Sequence, residues 1–174
     1  MKNLKLSIFA LMGMMVLLFS CNDADDQVPM LRMQTFEYSF NEGQLVGAAT
    51  AYVGEHPRNL TARMMVEEQA NGMAKITVTL NNTLSGRMYM IHAHDAADPA
   101  TTPNGTPYNE APNSNVLSAM VTPQGSTATV EHQSTLSYEQ IINNYEGFFV
   151  VHDPTQDIST TDLTTYLILG LFAR

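Results

Sequence analysis

The chain has 174 residues, with 17 acidic against 8 basic side chains and a formal net charge of −9. So acidic a chain repels nucleic acid and anionic headgroups, which excludes a nucleic-acid partner. Its single cysteine excludes an internal disulfide, so the fold must be held by its own core.

In chain order, the first feature is export-like. Lys2 and Lys5 precede an apolar run from Leu6 to Phe19, too short to span a bilayer comfortably, which ends at Leu18-Phe19-Ser20-Cys21. That tetrapeptide resembles the lipobox of bacterial lipoproteins. The resemblance implies a signal peptide over 1–20, cleavage before Cys21 and lipid on Cys21 that ties the protein to a membrane; an uncleaved N-terminal anchor is the alternative. The 154 residues that would remain keep all 17 acids and six basic residues, an ample length for one domain. Asn22-Asp23-Ala24-Asp25-Asp26 resembles the acidic tag that directs some lipoproteins to the outer cell surface, and reads equally well as a solvated tether. The expected location is the bacterial cell envelope, at the outer membrane, with a lipidated tether over 21–32 and one β domain over 33–174.

Within that domain, short strands alternate with turn residues. Phe36, Tyr38 and Phe40 alternate with Thr35, Glu37 and Ser39, and Ile76, Val78 and Leu80 with Lys75, Thr77 and Thr79, the period of half-buried strands. Asn41-Glu42-Gly43 predicts a turn before a small apolar stretch from Leu45 to Val53. Leu84-Ser85-Gly86 predicts a turn into a strand from Arg87 to His94. The stretch from Asp95 to Ser114, with Pro99, Pro103, Pro107 and Pro112, predicts a long functional or disordered loop. Val116 to Val121 and Ala128 to His132 flank Pro123-Gln124-Gly125, a hairpin signal. Ser137-Tyr138-Glu139-Gln140 is a capping box before one short helix ending near Asn143-Asn144. Phe148 to Val151 and Tyr166 to Phe172 are continuous apolar runs, expected as strands buried on both faces; the latter is far too short to span a bilayer. The sum is an all-β domain: a Greek-key antiparallel barrel or sandwich of about eight strands with one short helix.

The chemistry gathers at strand ends. In Met88-Tyr89-Met90-Ile91-His92-Ala93-His94, residues two apart share a face, so His92 and His94 project together. Neutral imidazoles of that kind suit copper or zinc, and His152, closing the strand Phe148-Phe149-Val150-Val151, can bring a third. Ordinary rim histidines are the alternative. Met88 and Met90 share that face; they read mainly as core fillers, less readily as soft copper ligands. Asp95, Asp98 and Asp153 stand beside the candidate ligands, either orienting imidazoles or solvated in loops. His56, beside Pro57, reads as a turn residue and His132 as a surface residue. No Gly-x-Ser-x-Gly elbow or phosphate-cradling glycine loop is present.

Three segments of the chain resemble copper/zinc superoxide dismutases. Ile91-His92-Ala93-His94-Asp95-Ala96-Ala97-Asp98 is similar to that family's first copper motif, Val150-Val151-His152-Asp153 to its last copper-ligand strand, and Leu167-Ile168-Leu169-Gly170-Leu171 to its final strand. The resemblance implies an eight-stranded Greek-key barrel and copper held by His92, His94 and His152. The departures are equally plain. The loop from Asp95 to Ser114 contains no histidine, so no zinc is expected, and Gly105-Thr106-Pro107-Tyr108-Asn109 stands where the bridging ligand belongs. Asp162 and Leu163 lie where the family carries its superoxide-steering arginine. The resemblance therefore implies a copper-binding protein with weak or no dismutase activity. A weaker similarity, to chordin-type domains, rests on the His-x-His strand and the later Val-His segment and implies a non-catalytic adhesion or interaction module.

Overall fold

The computed structural model describes residues 30–40, 52–102 and 104–174. The export-signal segment, Cys21, the turn at 41–43 and most of the apolar stretch after it lie outside the described residues, as does Pro103. Among the described residues no helix is long and apolar enough to cross a membrane.

Eight strands form two antiparallel four-stranded sheets. They are β1 (Met33–Ser39), β2 (Thr61–Glu68), β3 (Met73–Asn81), β4 (Tyr89–Asp95), β5 (Ser118–Val121), β6 (Thr127–Ser137), β7 (Gly147–His152) and β8 (Tyr166–Leu171). One sheet runs β1-β2-β3-β6 and the other β5-β4-β7-β8. The chain changes sheets between β3 and β4, β5 and β6, and β6 and β7, and β5 lies beside β6. This order contains two overlapping Greek keys, β3–β6 and β4–β7. The sheets face one another as a sandwich. No hydrogen-bonded ladder joins β5 to β6 or β1 to β8 among the described residues, so the closed barrel is not realised.

Alternation explains the first sheet. Ala74, Ile76, Val78 and Leu80 of β3 are fully buried, and so are Ala62, Met64 and Val66 of β2, while their neighbours face outward. Strand β2, absent from the sequence-level expectation, is fixed between the two strands that were expected, with Met64 opposite both Phe36 and Val78. Gly72, at φ 79° in the turn from β2 to β3, occupies the left-handed region where a side chain is disfavoured. The capping box forms reciprocally: Gln140 N donates to Ser137 Oγ (3.1 Å) and Ser137 N to Gln140 Oε1 (2.9 Å). The helical turn it starts, Gln140–Asn144, is wide, closed by Tyr145 N donating to Gln140 O.

Two sequence expectations are corrected here. Pro123-Gln124-Gly125 does not close a paired hairpin. Strand β5 pairs with β4 and β6 with β3, so this turn carries the chain from one sheet to the other. Met88 and Met90 do not fill the core. On β4 the inward residues are Tyr89, Ile91 and Ala93, which leaves Met90, His92 and His94 on the outer face of the second sheet.

That outer face is not bare. The long turn-rich segment after β4 folds back over it. Asn109 N donates to Asp95 O (2.9 Å), Ala97 N to Pro107 O (2.9 Å) and Asn113 N to Ala93 O (2.7 Å). Tyr108 is thereby fully buried in a second apolar cluster with Phe148, Val150, Tyr166 and Leu169. All six residues of β7 are buried, and its apolar run, Phe148 to Val151, contributes alternately to the two clusters.

Candidate metal centre

The three histidines meet. Strands β4 and β7 are adjacent, with His92 opposite Val150 and His94 opposite Phe148, so all three imidazoles rise from one face of two neighbouring strands. The ring centroids of His92 and His152 are 5.3 Å apart, and those of His92 and His94 6.0 Å. One nitrogen from each ring lies within 4.8 Å of the others. A β-bulge completes the placement. Between the pairs Val151–Ile168 and His152–Tyr166, β8 carries the extra residue Leu167, and Tyr166 then packs edge-on against His152 at 4.7 Å.

All three side chains are buried, with 5 % or less of each exposed. Burial without partners is costly for a polar ring: a buried nitrogen with nothing to bond costs about 1–3 kcal/mol. Yet His92 Nδ1, His94 Nε2 and both nitrogens of His152 have no hydrogen-bond partner among the described residues. His94 is the instructive case. Its Nδ1 lies 2.8 Å from the carbonyl oxygen of Asn109, so that nitrogen carries the proton and donates it. Nε2 is left with a lone pair that no described group engages, and a ring held through its other nitrogen is how an imidazole is oriented for a metal.

The electrostatics agree. Burial, then the neighbouring imidazoles, lowers the pKa of His92 to about 4 and that of His152 to about 3. Burial also lowers that of His94, against the opposing pull of Asn109 O and Asp95. At neutral pH the trio is therefore uncharged, the state in which imidazole donates to a metal. A three-coordinate ion with bonds of about 2.0 Å needs donors about 3.5 Å apart, so edges within 4.8 Å must close by no more than about 1.3 Å. Three buried histidines placed this way can hold a metal ion.

The acids have other partners. Asp153 accepts from Tyr52 Oη, Gln156 Nε2 (2.8 Å) and Thr155 Oγ1 (2.7 Å). Burial pushes its carboxyl up, but those hydrogen bonds outweigh it and hold it below the usual carboxylate range. Asp95 accepts from Asn113 Nδ2 at 2.7 Å, pinning the base of the long loop. Asp98 is exposed and accepts from Ala100 N at 2.9 Å. The orienting contact on His94 is thus a backbone carbonyl, for which a sequence carries no signal; it lies in the Pro-rich loop expected to be functional or disordered. His56 lies in a bend and is buried; its Nε2 lies 2.7 Å from Tyr89 Oη and its Nδ1 2.8 Å from Pro57 O, so both nitrogens are satisfied. His132 sits on β6, in the other sheet.

Comparison with protein-family models, with curated proteins and with solved structures gave no match.

Proposed function

We propose that this protein is a cell-envelope lipoprotein, anchored through Cys21, that binds copper through His92, His94 and His152 on a superoxide-dismutase-like domain. The observation that carries the metal reading is the cluster of buried, partnerless imidazole nitrogens within 4.8 Å. A fold tolerates such a cost where a ligand offsets it. Strand number and Greek-key order support the family resemblance, although the sheets remain a sandwich.

The donor set suits copper or zinc, and the family resemblance selects copper. Three neutral imidazoles on two strands suit copper, and a three-coordinate arrangement tolerates Cu(I). Copper bound there would supply one-electron chemistry; the chain's own residues supply the rest. Asn109 O fixes the His94 tautomer, and Tyr166 and Tyr108 pack against His152 and His94 at 4.7 and 4.9 Å. With neither a bridging histidine nor a steering arginine in the family's positions, dismutation is weak or absent, and binding is the function.

Titration of the purified chain with copper and with zinc, beside the double variant His92→Ala, His94→Ala, tests this. Submicromolar copper affinity that disappears in the variant supports the reading. No metal uptake by the wild-type chain refutes it and favours the chordin-like interaction module. A superoxide assay on copper-loaded protein then measures any residual turnover.

A further inference from the structure

The outer face of β4 does not end at His92. The alternation that turns His92 and His94 outward turns Met90 outward too, and Met88 lies two residues further along. Strand β5 adds a third thioether: Met120 is the direct antiparallel partner of Met90, so the two side chains stand on one face with Cβ atoms about 5 Å apart. Met88 is 51 % and Met120 60 % exposed. Their sulfurs are therefore not core packing, the usual employment of methionine. Met88 and Met90 line a cavity of about 270 Å³ that His152 also lines, together with the charged Arg87 and Asp153, Gln156 and the apolar Pro154 and Ile158.

The geometry points to a second, thioether site for Cu(I), formed by Met88 and Met90, which line the cavity that His152 also lines, with Met120 beside Met90 on β5. This rests on the histidine trio being a metal centre and specifies which oxidation state reaches it and by what route. Thioether sulfur is a soft, uncharged donor that selects Cu(I) over zinc, calcium or magnesium. Passage inward is a ligand exchange: sulfur–copper bonds break as nitrogen–copper bonds form to the imidazoles. The ion enters and leaves the exchange as Cu(I), so no electron acceptor is needed.

The test uses the full chain in detergent, with methionine methyl groups carbon-labelled, titrated with Ag(I) as a redox-inert stand-in and with Cu(I) under anaerobic conditions. The variants are Met88→Leu, Met90→Leu, Met120→Leu combined, which conserves volume, and His92→Ala with His94→Ala. The wild type is expected to take up two soft ions, with the methyl resonances of Met88, Met90 and Met120 shifting. The leucine variant should lose one of the two ions and load its histidines with Cu(I) more slowly, while its Cu(II) uptake is unchanged. The alanine variant should lose the other ion and keep the three methyl shifts. Methyl resonances that do not move with Ag(I), or a leucine variant with wild-type stoichiometry and loading rate, overturn the proposal. Methyl shifts retained in a chain whose histidines take up no ion refute the histidine centre but leave the thioether site standing.

Discussion

Replacing Tyr108 by alanine gives the sharpest test of how the centre is built. Its ring is fully buried and touches His94, Phe148 and Tyr166 at centroid distances of 4.9, 5.7 and 6.4 Å. Truncating a buried aromatic to alanine costs about 3–5 kcal/mol. That is a large part of the roughly 5–15 kcal/mol that holds a domain together. The fall in Tm should be on the order of 10 °C. The second effect is chemical. Tyr108 anchors the loop whose next residue, Asn109, fixes the tautomer of His94. With that anchor gone, metal affinity should fall about 10- to 100-fold, the range for losing a partner that orients a ligand. Tyr108→Phe is the control. It keeps the ring and loses only a hydroxyl that lies 3.0 Å from Tyr166 Oη and 3.2 Å from Thr160 O, for a cost of about 1 kcal/mol. Denaturant unfolding gives the stabilities and isothermal titration the affinities. If Tyr108→Ala binds metal as tightly as Tyr108→Phe at a temperature where both are folded, the loop does not orient His94 and the reasoning fails.

Further expectations follow from the same geometry. His152→Leu removes two buried, partnerless nitrogens, so the metal-free protein should become about 1 kcal/mol more stable while losing the extra stability that metal gives the wild type; thermal melts with and without copper measure both. Because folding lowers the pKa of His92 to about 4 and of His152 to about 3, the unfolded chain binds more protons between pH 6.5 and about 3, so metal-free stability should be full above pH 6.5 and fall as the pH drops through that window. The slope should be shallower in His152→Leu, and equal slopes would contradict neutral buried imidazoles. Gly147 pairs with Asp95, and a Cβ added there would collide with the backbone oxygen of His94. Gly147→Ala should destabilise by about 1–3 kcal/mol in urea unfolding and weaken metal binding as well.

The parts of this fold that were legible were those with an unbroken period. Strand β3 alternates without error, and the runs Phe148 to Val151 of β7 and Tyr166 to Leu169 of β8 are apolar and buried on both faces, while Leu171 at the end of β8 is exposed. Strand β2 also alternates, with Ala62, Met64 and Val66 inward, but the Met64-Met65 doublet hides the period and the residues around it are polar or charged. Periodicity also showed that Met88, Met90, His92 and His94 share a face. It did not show which face is the core, since in a sheet buried on both sides apolarity no longer marks the interior. Met120 gained its meaning only from the β4–β5 register, a contact across the long loop. The same limit misread Pro123-Gln124-Gly125, because a turn signal does not say whether the strands it joins will pair.

The bulge and the strand order have a consequence for when the protein becomes functional. His92 and His94 are near neighbours in the chain, but His152 reaches them only after β5, β6 and the helical turn have been laid down and β7 has docked on β4. A nascent or unfolded chain therefore offers at most a two-tooth grip, much weaker than the finished one, because closing so long a loop is entropically uphill. An ion that needs all three imidazoles could be captured only at the last stage of assembly, and its binding would report that both halves of the second sheet have come together.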